Sequence, residues 1–440
     1  MLFGSPASYG LPASLLALLA VLPTSTSAWS PWAAVQPEVR QTTVKPLNEV
    51  LAGEKKLQTY YALVKEYPDI LLQLPSYDGV TLVAPSDDAF EKYQNWDPKN
   101  ASLVTNLLQY HILQGTVSTE AIVKGVATFA SSLLTNTAWT NVTGGQKTII
   151  NKQNDDTVVF VSGLGSRSTV TKHDIEFTGG LVQVVDTLMV PPARLEHTAR
   201  DAYKDCQGFL GALYAAGLAE EFATTPNVTI FAPRNSAFQR IASTLESLSK
   251  DELRNVLRYH IVPGAVLASP QLVNGTNLTT AAKDLTNDGV DLELHVIRSG
   301  NNMYFNTAQL EQPDILIANG IMHIVADVLN PEQATVYPNP TADAQNPVFP
   351  VTGTKTEVGL GEDVPFTTAF PCTENCPVTS SSSAVDAGVT GASTTTSVSS
   401  RSSQGMGAAG PGVPRCTGMP QVAAAAVGAA GLLAGIVGVV

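Results

Sequence analysis

The stretch LLQYHIL, Leu107 to Leu113, returns as VLRYHIV, Val256 to Val262. A Tyr-His pair inside an apolar run can do three kinds of work. The imidazole can serve as a general base or metal ligand, the pair can face a partner, or both rings can fill a core with their polar atoms bonded. Nucleophilic catalysis needs an activated Ser or Cys beside a base. The chain has no Gly-x-Ser-x-Gly elbow and no His-Glu-x-x-His helix. The repeat copies Tyr and His but no acidic residue at a fixed short spacing, and Gln183 stands where the second copy has His323. Glycoside hydrolysis would require two carboxylates about 5–10 Å apart. The adjacent pair Asp87-Asp88 faces only Asn235-Ser236 in the second copy. The four cysteines, Cys206, Cys372, Cys376 and Cys416, show no zinc spacing. Gly163-Leu164-Gly165 is a weak phosphate-loop match and reads better as a hairpin turn. No catalytic residue, metal ligand or cofactor is therefore assigned; a wall-polymer hydrolase is the weakest of three readings.

The elements that position the pair can be read from periodicity. Val104, Leu107, Leu108 and His111 stand at i, i+3, i+4, i+7, as do Leu253, Val256, Leu257 and His260. Both histidines thus fall on the apolar stripe of a helix, facing a core. Two further boxes recur in the same order. TLVAPSDDAF (81–90) matches TIFAPRNSAF (229–238), and DIEFTGGLVQVVDTLMVPP (174–192) matches DILIANGIMHIVADVLNP (314–331). Each copy opens with a helical stretch, 57–66 or 208–222, followed by a β-branched run, 80–83 or 228–231. The spacing places caps at Ser86, Asn235, Asp97-Pro98 and the capping box Ser249-x-x-Glu252. Strands with glycine turns fill the second half of each copy, giving an α+β class. A period of roughly 140 residues makes two domains, 42–192 and 193–331, and not a solenoid.

The ends carry processing signals. Residues 1–28 read as a signal peptide ending in small residues. Residues 413–440 end in an uncharged apolar run behind a short spacer, the pattern of a glycosylphosphatidylinositol (GPI) anchor signal. Between them lie a Pro/Thr linker, 332–378, and a Ser/Thr/Gly-rich stalk, 379–412, too polar to fold on a core of its own. Cys372 and Cys376 could close a small disulfide loop. Five sequons, at Asn100, Asn141, Asn227, Asn274 and Asn277, suit a secreted glycoprotein. A formal charge of −13 would repel a phosphate backbone, so nucleic acid is excluded as a partner.

The boxes TLVAPSDDAF and TIFAPRNSAF, each followed by Tyr-His and a Gly-Gly or Asn-Gly segment, resemble fasciclin I-type domains over residues 42–331 in two tandem copies. The resemblance implies a β-wedge with packed helices, and secreted or lipid-anchored proteins of cell adhesion. It also implies partner binding at Tyr110-His111, Asp174-Ile175, Tyr259-His260 and Asp314-Ile315. Gln183 and Gly179 depart from the pattern and make the first copy the weaker binder on that reading. The anchor signal and stalk are similar to those of fungal members of the family. The expected partner is a cell-surface, matrix or wall component, or a second copy, with the protein held at the outer face of the membrane by the lipid. A structural or vacuole-lumenal protein without adhesive role is the alternative.

Overall fold

The computed structural model describes residues 44–93, 96–287, 289–342, 344–350 and 364–371. The residues expected to form the two terminal signals and the stalk, and the Cys372/Cys376 pair, lie outside the described residues. The first copy folds into strands β1 (Val80–Pro85), β2 (Ile112–Gln114), β3 (Thr128–Ser131), β4 (Lys147–Lys152), β5 (Val158–Val161), β6 (Arg167–Phe177) and β7 (Gly180–Val185). The second gives β8 (Val228–Pro233), β9 (Ile261–Val262), β10 (Asn277–Lys283), β11 (Asp291–Ser299), β12 (Asn302–Phe305), β13 (Ala308–Ile317) and β14 (Gly320–Val325). The sheet order is β2-β1-β7-β6-β5-β4-β3 in one and β9-β8-β14-β13-β12-β11-β10 in the other, the same topology twice. Among the named strands of the described residues, only the pairs β1–β7 and β8–β14 are parallel. In the first sheet a bridge between Leu113 and Ser132 links the edges, so the sheet curls toward a barrel.

The parallel pair sits between two cores, which is why β1 and β8 are buried along their whole length. Val80, Leu82 and Ala84 pack under the helices, whereas Val83 points into the barrel-side core with Tyr110, Leu113 and Phe160. Val228, Ile230, Ala232 and Phe231 divide in the same alternation. Thr81 and Thr229, on the barrel side of their strands, each accept a backbone N–H and donate to a carbonyl of the loop after β2 or β9. Gly180 and Gly320 open the partner strands. A Cβ on either would stand 1.9 Å from the carbonyl oxygen of Val80 or Val228, so the parallel pair closes only on glycine.

Two caps fall elsewhere than the sequence suggests. The helix of the first Tyr-His pair is Ala101–Tyr110, and Asn100 caps it by accepting from Leu103 N; Asp97-Pro98 lies outside it. Asn235 is the first helical residue of Asn235–Arg240, not its cap, and Ser86 sits at its N-cap position without a side-chain bond. The capping box of Ser249 and Glu252 forms as expected.

Candidate functional site

Tyr110, His111, Tyr259 and His260 all have 0% relative exposure. His111 stands at the C-cap of its helix and His260 one residue past the C-cap of Lys250–Arg258, and each bonds at both nitrogens. His111 Nδ1 donates to Leu107 O at 2.8 Å, and Nε2 accepts from Met189 N at 2.9 Å. His260 does the same with Val256 O at 2.9 Å and Leu329 N at 3.0 Å. A carbonyl can only accept, so the proton sits on Nδ1 and the ring is neutral. Burial pushes both imidazoles down to about 4, against the opposing pull of the carbonyl bond. Tyr110 Oη donates to Lys147 O and Tyr259 Oη to Glu293 O. Burial raises both phenols, Tyr259 to about 12. The pair is therefore a clasp: tyrosine bolts the helix to the barrel, and histidine bolts it to the segment that leaves the sheet. These four side chains offer a partner no surface, which removes them from direct contact.

The Asp-Ile segments are placed differently. Asp174 and Asp314 take φ of 52° and 64° at irregular points of β6 and β13, left-handed positions that short polar residues tolerate. Asp174 accepts from Thr119 N and Oγ1, and Asp314 from Ser269 N and Oγ. Behind each lies the residue that differs between the copies. His323 Nδ1 accepts from Asp314 N at 3.2 Å, and its Nε2 donates to Leu267 O at 2.9 Å. Gln183 Oε1 accepts from Asp174 N at 2.9 Å, and its Nε2 donates to Val117 O at 3.0 Å and Asp174 Oδ1 at 2.7 Å. Gln183 does the work of the histidine, so the departure leaves the bulge intact. Burial would raise the Asp174 carboxyl, but the Thr119 and Gln183 hydrogen bonds outweigh it and hold it below the usual range. Ile315 is buried and Ile175 half-buried, while residues 171–173 and 311–313 beside the aspartates are exposed.

The carboxylate pair is structural on one side. Asp87 Oδ1 accepts from Thr59 N at 2.7 Å and Oδ2 from Gln58 N at 3.3 Å, capping the neighbouring helix Gln58–Glu66. Asn235 repeats the task by accepting from Gly208 N at 2.9 Å. Among the described residues no group of three His, Cys, Asp or Glu side chains is placed to hold a metal ion. A cleft of about 650 Å³ opens between the two copies, with Arg167, Tyr203, Arg298, Asp314 and Ile315 on its walls. Asn100, Asn274 and Asn277 are exposed, whereas Asn141 and Asn227 are half-buried where the copies meet. Sequence reasoning passed over Thr81/Thr229 and Thr119/Ser269. Their signal was their matching place in two aligned copies.

Residues 55–191 and 204–331 each match the Fasciclin domain family. A fasciclin-like arabinogalactan protein of Arthroderma benhamiae is 30% identical over 326 residues, covering 72% of this chain and 73% of the relative. The fasciclin-like arabinogalactan protein elcF of Phaeosphaeria nodorum is 26% identical over 293 residues, 66% of this chain and 89% of the relative. Transforming growth factor-beta-induced protein ig-h3 of Oryctolagus cuniculus is 24% identical over 306 residues, 68% of this chain and 40% of the relative. With one family matching both halves, and both halves folded on one topology, the chain belongs to the fasciclin domain family as a tandem pair.

Proposed function

We propose that the chain is a cell-surface adhesion glycoprotein, a binding protein and not an enzyme, lipid-anchored and raised on a glycosylated stalk. One observation carries the reading. The two copies build the same left-handed aspartate bulge from different supports, Gln183 and His323, yet display different residues on it. The exposed lead-in is Thr171-Lys172-His173 in one and Glu311-Gln312-Pro313 in the other. A fixed frame with a varied display is what a recognition surface needs, and a catalytic site would need the reverse. Fasciclin-like arabinogalactan proteins of two fungi among the relatives support the extracellular placement. Many anchored copies would turn weak single contacts into firm adhesion.

Beads coated with the secreted protein test this. They should clump with cells, wall fragments or one another, and soluble protein should compete. His173→Ala and Gln312→Ala should reduce clumping without moving the melting temperature. Clumping indifferent to both variants sinks the bulge as the contact site, and no clumping with any target sinks adhesion. Release of the protein from cells by a phosphatidylinositol-specific phospholipase tests the anchor separately.

A further inference from the structure

Two of the five sequons face one another across the junction of the domains. Asn141 N donates to Ala318 O at 2.9 Å, and Asn141 O accepts from Asn227 N at 3.2 Å. The Asn141 amide Nδ2, the atom a glycan would occupy, donates to Thr224 O at 3.2 Å. Asn227 Nδ2 donates to Thr143 Oγ1 at 2.8 Å, and Asn227 Oδ1 accepts from Thr143 N at 2.7 Å. Thr143 is itself the hydroxyl residue of the Asn141 sequon. Each acceptor amide thus gives one of its two N–H bonds to the opposite domain, and one sequon's hydroxyl receives the other's amide.

The surroundings keep the seam closed. Gln146 has 0% relative exposure. Its Nε2 reaches Ile317 O and Ala318 O at 3.2 Å, and Thr140 Oγ1 donates to Ala318 O at 3.0 Å. Asn227 holds φ at 53°, a left-handed position suited to asparagine. The hydroxyl of its own sequon, Thr229, has 0% relative exposure in β8 and is bonded to Ala265 O and Leu267 N. A glycosyltransferase that needs an extended, open Asn-x-Thr finds this one closed once β8 has paired. The other three asparagines are exposed and bond only within their own domain: Asn100 and Asn274 turn only Oδ1 inward, to Leu103 N and Arg298 N, and Asn277 Nδ2 donates to Glu293 Oε2 at 2.8 Å on the surface.

We propose that Asn141 and Asn227 form an interdomain clasp and are not glycan acceptors. The first sugar would stand beside Thr224 O on Asn141 Nδ2, or beside Thr143 Oγ1 on Asn227 Nδ2, so it would crowd the contact between the 141–143 loop and residues 224–227. Glycans then belong to Asn100 and the Asn274/Asn277 pair, and the seam fixes how the two domains present their bulges.

The test is site occupancy on protein secreted from a eukaryotic host, read by peptide mass spectrometry after enzymatic deglycosylation in heavy-oxygen water. Asn141 and Asn227 should be unmodified, and glycan on either overturns the proposal. The clasp is tested by hydrogen exchange of the Asn141 and Thr143 amides. In Asn227→Ala, exchange should rise about tenfold, the equivalent of one net hydrogen bond. Asn227→Asp keeps the Oδ1 acceptor and a residue fit for positive φ, so it should stay protected. Thr143→Val, on an exposed loop where misfolding is no concern, should raise exchange at Asn141 as Asn227→Ala does. Unchanged exchange in Asn227→Ala and Thr143→Val overturns the clasp.

Discussion

Replacing His111 with alanine probes the clasp at its cleanest point. Domain 1 has one other described histidine, His173, whose side chain is 67% exposed. Loss of the ring strands Met189 N–H, which His111 Nε2 accepts. Leu107 O remains served by the backbone N–H of residue 111. A buried donor left alone costs about 1–3 kcal/mol. The void left by the ring adds to this, so about 3–5 kcal/mol is expected at pH 7. Trp96 and Trp139 both lie in domain 1, and domain 2 contains no tryptophan. Tryptophan fluorescence during urea unfolding therefore reads the right domain.

The pH dependence sharpens the test. The folded ring is held near 4 by burial. The unfolded imidazole titrates at its ordinary value of about 6.5, so on acidification the unfolded chain takes the proton first. The contribution is whole above about 6.5 and is lost as pH falls toward 4. Between pH 6.5 and 5 the native protein should lose about 2 kcal/mol through this group, and the variant should lose none of it. The gap between native and His111→Ala should therefore shrink by about 2 kcal/mol from pH 7 to pH 5. A gap that does not change with pH, or one below about 1 kcal/mol at pH 7, refutes the neutral buried clasp.

The same geometry fixes two other outcomes. Gly320→Ala places a methyl group 1.9 Å from Val228 O, so the β8–β14 pair must part; destabilisation of about 3 kcal/mol or more should appear as a sharp fall in secreted yield and in the domain 2 melting temperature. Gln183→His should leave domain 1 within about 1 kcal/mol of native in the same urea assay, whereas Gln183→Leu, which strands the amide of Asp174 and two acceptors, should cost at least about 2 kcal/mol; equal effects of the two would show that Gln183 does not replace the histidine.

Legibility followed sequence separation. Contacts within one turn of helix could be read directly: the apolar stripe put His111 and His260 in the core, and the Ser249 box formed as written. Where two local signals competed the reading slipped, because Asp97-Pro98 and Asn100 are both good helix starts and only the reach of Asn100 Oδ1 to Leu103 N decides between them. Asn235 was misread for a deeper reason. Its side chain serves Gly208, 27 positions earlier, and no local pattern records that. The candidate contact residues divide along the same line. The fold buries the Tyr-His halves as bolts and leaves the edges of the Asp-Ile bulges at the surface, a division that a repeated motif alone cannot express.

The second copy recovers part of what distance hides. Thr119 and Ser269 hold equivalent aspartates, Thr81 and Thr229 stitch equivalent loops, and Asp87 and Asn235 cap equivalent helices. In each pair a polar side chain reaches the same kind of backbone or carboxylate atom across a long stretch of chain. Polar groups that must be satisfied in a buried place are held to a role, not to an identity, which is why histidine and glutamine can exchange at 183 and 323. The seam has no such second copy. Asn141 and Asn227 meet once, between unlike loops, so the sequence showed two glycan acceptors where the fold has a single joint.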